Sequence, residues 1–195
     1  YKRGTAVDLA TVSISLLGTA IPGFLLSMFF MLFFGVYLQW LPVAGYAPMA
    51  QGLGEHLRYL ALPALSLGVV QAAYITRMTR SALLDVLYKN YIRTARAKGL
   101  RESAILFGQA LKNAAPTILT VVGQSFGSLV TGTIVTETIF NIPGLGMLTM
   151  SSINQRDVFV IQGVVLFVTV IYVLVNLAVD ILYGLVDPRI QLGRQ

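Results

Sequence analysis

The sequence predicts an all-α fold, a polytopic bundle of membrane-crossing helices forming a single domain, and three observations predict it. Only 11% of the 195 residues are charged and the mean hydropathy is +0.76, far above what a water-exposed surface of this size tolerates. Four segments of about 20 mostly apolar residues or more recur along the chain, the length a helix needs to cross a bilayer. The basic residues gather on alternate connections between those segments, as topology requires of a multi-pass protein. Glycine and proline, 18 and 7 residues, suit membrane helices, where neighbouring helices satisfy freed backbone groups. Cysteine is absent, which excludes a disulfide framework and a thiolate metal site. The net charge of +6 fits cytoplasmic loops better than nucleic acid in so apolar a chain.

The elements follow in order. Tyr1 stands where an initiator methionine would, and Lys2-Arg3-Gly4 leads straight into apolar residues. That start reads as the cytoplasmic end of an earlier span, so the chain is expected to be N-terminally truncated. The run after Asp8 lacks the cleavage pattern of a signal peptide. The first span is expected over about 13–38, with Pro22 inside it, and it ends in Gln39-Trp40-Leu41-Pro42, an aromatic and proline pair typical of an interface and a stop. The second is expected over about 62–84, the third over about 116–140, and the fourth over about 160–185, closing at Asp187-Pro188-Arg189. Arg58 is the basic residue between spans one and two, and Arg156 that between three and four. The other twelve, Lys2, Arg3, the group from Arg77 to Lys112, Arg189 and Arg194, fall on the opposite side. By the positive-inside rule that side is cytoplasmic, and both ends of this chain are expected inside.

The cytoplasmic loop of about 85–115 holds most of this charge. Asp85 to Lys98 has helix-forming composition, Gly99 breaks or caps the helix, and Ser103 is placed to N-cap a second one running to about Ala114 before Pro116. Tyr91, Arg93, Thr94, Ala95, Arg96, Ala97, Lys98 and Gly99 set small side chains among cations, a surface suited to docking into a pocket on another protein. The same charges also serve topology and binding to anionic lipid headgroups. Arg77 and Arg80 are expected to snorkel to those headgroups, with Asp85 pairing one of them.

Other motifs point to packing more than to catalysis. Gly123-Gln-Ser125-Phe-Gly127 matches the G-x-S-x-G of hydrolases, but it lies inside a span, and the single histidine, His56, is placed in an extracytoplasmic loop. Gly123 and Gly127, then Ser128 and Gly132, are four residues apart, a small-residue face for helix packing or for lining a path. Pro143-Gly144-Leu145-Gly146 lacks the third glycine of a dinucleotide fingerprint and reads as a turn. Glu137, at the outer end of span three, is a candidate to meet a substrate's amino group, to pair with Arg156, or to reach solvent, structural pairing being preferred. Asp180 reads as structural, within reach of Arg189 or a loop arginine. No G-x-x-x-x-G-K-[ST] occurs, so a nucleotide's phosphates find no cradle in this chain, and no H-E-x-x-H or cysteine cluster offers a metal site.

Arg93-Thr-Ala-Arg-Ala-Lys-Gly99, preceded by Tyr91, resembles the cytoplasmic EAA loop of the permease subunits of bacterial ABC importers, most closely the dipeptide, oligopeptide and nickel branch. Ile21-Pro22, Trp40-Leu41-Pro42-Val43-Ala44-Gly45, Glu137-Thr-Ile-Phe-Asn-Ile-Pro-Gly-Leu-Gly146, Arg156-Asp157 and Asp180-Ile-Leu-Tyr183 with Asp187-Pro188-Arg189 follow the family order, so the resemblance covers essentially the whole chain. Two departures stand out: Arg93 where the family loop often has glutamate, and Lys112 where it often has proline. The resemblance implies a multi-pass protein of the bacterial inner membrane, working with a second homologous permease, two cytoplasmic ATPase subunits and an extracytoplasmic substrate-binding protein. It implies a coupling helix before Gly99, no cofactor in this chain, and ATP with magnesium in the ATPase subunits. Peptide is the first cargo it implies and nickel or a nickel chelate the second. A stand-alone carrier is disfavoured because the four spans lack an ionisable residue near their centres.

Overall fold

The computed structural model describes residues 4–186, so the expectations placed on Lys2, Arg3, Asp187, Pro188, Arg189 and Arg194 lie outside the described residues. Among the described residues the regular structure is entirely helical. Three helices are long and apolar enough to cross a membrane, and a bent pair makes a fourth candidate.

The bent pair corrects the first expected span. α1 (Ala6–Ala20) and α2 (Gly23–Phe30) meet at 100° instead of forming one rod over 13–38. The ring of Pro22 disfavours helical backbone at the residue before it, and Ile21 is accordingly extended, with φ −85° and ψ 123°. α2 continues through a π-helical turn, Met31–Tyr37. Gly35 in that turn lies against Val43, where a Cβ would come within 2.8 Å of Val43 Cγ2.

α3 (Leu53–Leu87) is longer than expected at both ends, and it takes His56 and Arg58 out of the loop and into its first turns. Pro63 sits inside it, with Leu62 and Ser66 buried beside it, and the Ser66 hydroxyl donates to the Pro63 carbonyl at 2.9 Å. After a break at Tyr88 and Lys89 comes α4 (Asn90–Ala97), so the helix expected over Asp85 to Lys98 is two helices. α5 (Glu102–Ala104) begins one residue before Ser103, which therefore is no N-cap; Arg101 holds that position with extended backbone. α5 runs through a second π-helical turn, Ile105–Ala110, into α6 (Leu111–Phe140). Pro116 lies inside α6 and does not end a helix, because one lost backbone bond is outweighed by the apolar run beyond it.

An eleven-residue helix, α7 (Leu145–Gln155), follows the Pro143-Gly144 turn in a stretch for which no helix was expected. α8 (Val158–Val186) matches the fourth expected span, and Asp157 caps it by accepting the Val160 amide at 3.2 Å. α3 and α6 form the central pair, with α1 and α2 laid on α3, and α7 and α8 on α6. Small residues set these approaches: a Cβ at Gly18 of α1 would come within 2.8 Å of the Ala73 Cβ of α3. In lipid such close packing replaces the hydrophobic drive that joins helices in water.

Candidate functional site

The charged loop between α3 and α6 is built from α4 outward. Ile92 and Ala95, three residues apart on one face, are buried with Ile105 of the π-helical turn, and Leu87 of α3 packs against them. The opposite face holds Asn90, Arg93, Thr94 and Ala97 at i, i+3, i+4 and i+7, all exposed. Ala95 therefore seats the helix, whereas Ala97 lies on its outer face. Gly99 takes φ +76°, which favours glycine, and closes a Schellman turn: its amide bonds the Arg96 carbonyl at 2.9 Å and the Leu100 amide bonds that of Ala95 at 3.3 Å.

Across this turn Arg96 grips Glu102 with two bonds, Nε to Oε1 at 2.7 Å and Nη2 to Oε2 at 3.2 Å. The hydrogen bond to Glu102 raises the Arg96 pKa. Arg96 is thus a staple joining α4 to α5. Arg93, Lys98 and Arg101 make no ion pair among the described residues and give the joint an exposed positive surface. Tyr91 is half exposed at its edge.

The second arrangement is a groove of about 770 Å³ between α2, α3 and α6. α3 contributes Gln71, Tyr74 and Arg77, and α6 contributes Gln124, Ser128, Gly132 and Thr136, each set spaced along one helical face. Gln71 Nε2 donates to Ser128 Oγ at 2.7 Å, tying the two walls together. Ser128 in turn donates to the Ser125 carbonyl, and Ser125 donates to that of Val121.

The small-residue face divides its work. A Cβ at Gly123 would come within 3.2 Å of Val179, and one at Gly127 within 2.9 Å of the Tyr172 ring, both on α8. Gly132 instead faces Leu67 of α3, where a Cβ would come within 3.2 Å of the leucine Cδ2. Ser125 is buried with its hydroxyl spent on its own helix, and it has no histidine beside it. His56 is buried at the start of α3, donating from Nδ1 to the Ala47 carbonyl at 2.7 Å, with its ring edge-on to Tyr46.

Glu137, at the C-terminal end of α6, takes a partner the sequence did not suggest. The Glu137 carboxylate accepts the Gly146 amide at 2.7 Å and the Met147 amide at 3.1 Å, capping the N-terminus of α7. Pairing with Arg156 is not made; Arg156 ends α7 with φ +57°. Nearby, the Phe140 carbonyl accepts the Gly45 amide at 2.7 Å, which holds the segment after α2 to the outer end of α6.

Arg80 takes a partner the sequence did not suggest. It makes a two-pronged pair with Asp8 of α1, both bonds 2.8 Å long, and Asp85 is not its partner. Asp180 is exposed on α8, and its expected partner Arg189 lies outside the described residues. Sequence reading passed over Gln71, Tyr74 and Gln124, whose signal was their spacing on the same faces as Arg77 and Ser128.

Residues 1–192 match the family of binding-protein-dependent transport system inner membrane components. The chain is 43% identical over 191 residues to a probable peptide ABC transporter permease protein, y4tP, of Sinorhizobium fredii, covering 98% of this chain and 61% of that protein. It is 40% identical over 210 residues to the di/tripeptide transport system permease protein DppB of Pseudomonas aeruginosa, covering 97% and 62%. To the glutathione transport system permease protein GsiC of Pectobacterium atrosepticum it is 41% identical over 184 residues, covering 94% and 58%. The chain thus spans about three fifths of the length of these relatives.

Proposed function

We propose, from the premise that this chain belongs to the family of binding-protein-dependent transport system inner membrane components, that it is a permease subunit of an ATP-driven importer of di- and oligopeptides. With a second homologous permease it forms the translocation path, the groove between α3 and α6 supplying one wall. Two cytoplasmic ATPase subunits bind ATP and magnesium, and a binding protein delivers peptide from outside. Both ends of this chain face the cytoplasm. Peptide is preferred as cargo because the relatives named for a substrate carry peptides or glutathione.

The observation that carries this reading is the build of α4. A helix meant only to fix topology needs basic residues and no defined shape. α4 has a buried seat at Ile92 and Ala95, a glycine turn and a two-pronged staple to α5, so its outer face is presented as a rigid body. α5 continues into α6 without a break in the helix, so a push on α4 is delivered to the groove wall. The π-helical turn at Ile105–Ala110 is the point where that lever gives, since its backbone bonding departs from the regular helix. When ATP closes the ATPase pair, α4 is carried with it and α6 rocks against α3. Arg93, Thr94 and Ala97 meet the ATPase subunit, while Arg96 and Gly99 hold the shape they act from.

The test is Ala97→Arg in the complete transporter, reconstituted in proteoliposomes with its binding protein. The substitution puts a long charged side chain at the centre of the outer face and leaves the buried seat intact. Assembly is expected to survive, with peptide-stimulated ATP hydrolysis and peptide uptake falling together by about tenfold or more, the loss of at least 1.4 kcal/mol of productive docking. Unchanged uptake, or uptake that persists without the ATPase subunits, would contradict the reading.

A further inference from the structure

The charge inside the groove goes beyond the peptide reading, on which this inference rests. Among the described residues the lining of the groove includes no carboxylate, and Arg77 is its one charged side chain. Arg77 makes no ion pair among the described residues, whereas Arg80, three residues on, is occupied by Asp8. An arginine within a membrane helix is costly unless it faces a partner or water. Arg77 faces the groove and, on its other side, a smaller cavity of about 220 Å³ that Arg80 also lines.

We propose that Arg77 makes this groove an anion-accepting path, its guanidinium receiving the C-terminal carboxylate of a peptide in transit, while Gln71, Tyr74 and Gln124 hydrogen-bond the peptide's main chain. The planar guanidinium fork matches a carboxylate with two parallel bonds. A side-chain amide offers one acceptor and two donors, the complement of a peptide group. Gln71 already makes such a bond to Ser128 at 2.7 Å, and an arriving peptide group replaces the hydroxyl like for like. A single uncompensated cation between low-dielectric walls raises the local concentration of anions and lowers that of cations. A bare divalent cation is therefore repelled from the groove, and nickel does not travel this path as a free ion.

The absence of cysteine from the chain makes the test direct. Gln124→Cys places one thiol in the groove, in a transporter whose other subunits carry no reactive thiol. It is then labelled with methanethiosulfonate reagents of opposite charge, one bearing a sulfonate and the other a trimethylammonium group. The ratio of anionic to cationic labelling rate is expected to fall on the order of tenfold in Arg77→Gln and to be kept in Arg77→Lys. A ratio unchanged by Arg77→Gln overturns the inference. Should Arg77→Gln fail to assemble, the ratio with Arg77 in place decides, and a value no higher than that of a free thiol in solution overturns it. Peptide-stimulated ATP hydrolysis by the unmodified transporter reports on the underlying reading. Stimulation without the charge ratio sinks the groove assignment alone, and the charge ratio without stimulation removes peptide as its cargo.

Discussion

α6 has one face toward α3 and another toward α8, and polar groups behave differently beyond each. On the α3 side Gln71 reaches off its own helix to Ser128, and the groove there sets amides, hydroxyls and one arginine among apolar residues such as Leu67, Val70 and Val135. On α8 two polar side chains turn back on their own helix, Thr169 donating to the Val165 carbonyl at 2.7 Å and Asn176 to that of Tyr172 at 2.9 Å. Ile161, Val165, Leu166 and Val170 line a shallow, mostly apolar surface, as a lipid-facing helix requires. Polar side chains that donate to their own helix occur on both faces, Thr136 in the groove among them, and the bond from Gln71 to Ser128 is what sets the α3 side apart.

The largest effect should come from loosening the outer end of the α6 wall. A Cβ at Gly146 would overlap the backbone of Ile134, and backbone cannot swing away as a side chain can. Gly146→Ala is therefore expected to cost about 3 kcal/mol or more by forcing α7 off α6 and pulling its amide from Glu137. Thermal unfolding in detergent checks it, and an unchanged Tm would mean that α7 does not dock as described. A smaller effect sharpens the contrast between the faces. Gln71→Leu removes the cross-helix bond and is expected to shift stability by about 1 kcal/mol or less while lowering peptide uptake several-fold. Val165→Ala on α8 is expected to leave uptake unchanged and stability within about 0.5 kcal/mol. Equal losses of uptake in the two variants would erase the distinction between groove and lipid face.

Much of this was legible from the residues, and the failures have physical causes. Apolar length located the helices that cross, because the bilayer sets a minimum that local sequence cannot evade. It did not locate their ends, and three prolines show why. Pro22 bends the chain by 100° while Pro63 and Pro116 stay inside continuous helices. Ile21 and Pro22 are exposed, whereas Pro63 lies between Leu62 and Ser66 in buried packing and Pro116 follows the buried Ala114. Buried neighbours hold a helix through a proline, and packing is not written in the local sequence.

The joint was legible at Gly99, since a glycine after a helix favours the left-handed cap. The staple from Arg96 to Glu102 was not, because it spans a turn whose geometry sets the distance. Glu137 was singled out as an acid needing a partner, but α7 was unforeseen, and its free amides were the partner. The α6 wall of the groove was legible in part, as the small-residue face that holds Ser128 and Gly132; the α3 wall was not, because Gln71, Tyr74 and Arg77 share a face only by a spacing that long apolar runs obscure.

The measurement that tests the contrast most directly uses the same cysteine-free chain. Single cysteines at Gln124 in the groove and at Val165 on α8 are labelled with a membrane-impermeant maleimide in the assembled transporter in lipid bilayers. Labelling at Gln124 that rises with nucleotide-driven turnover, with none at Val165, is the predicted result. Equal protection of both positions, or labelling at Val165 alone, would contradict a water-filled path between α3 and α6.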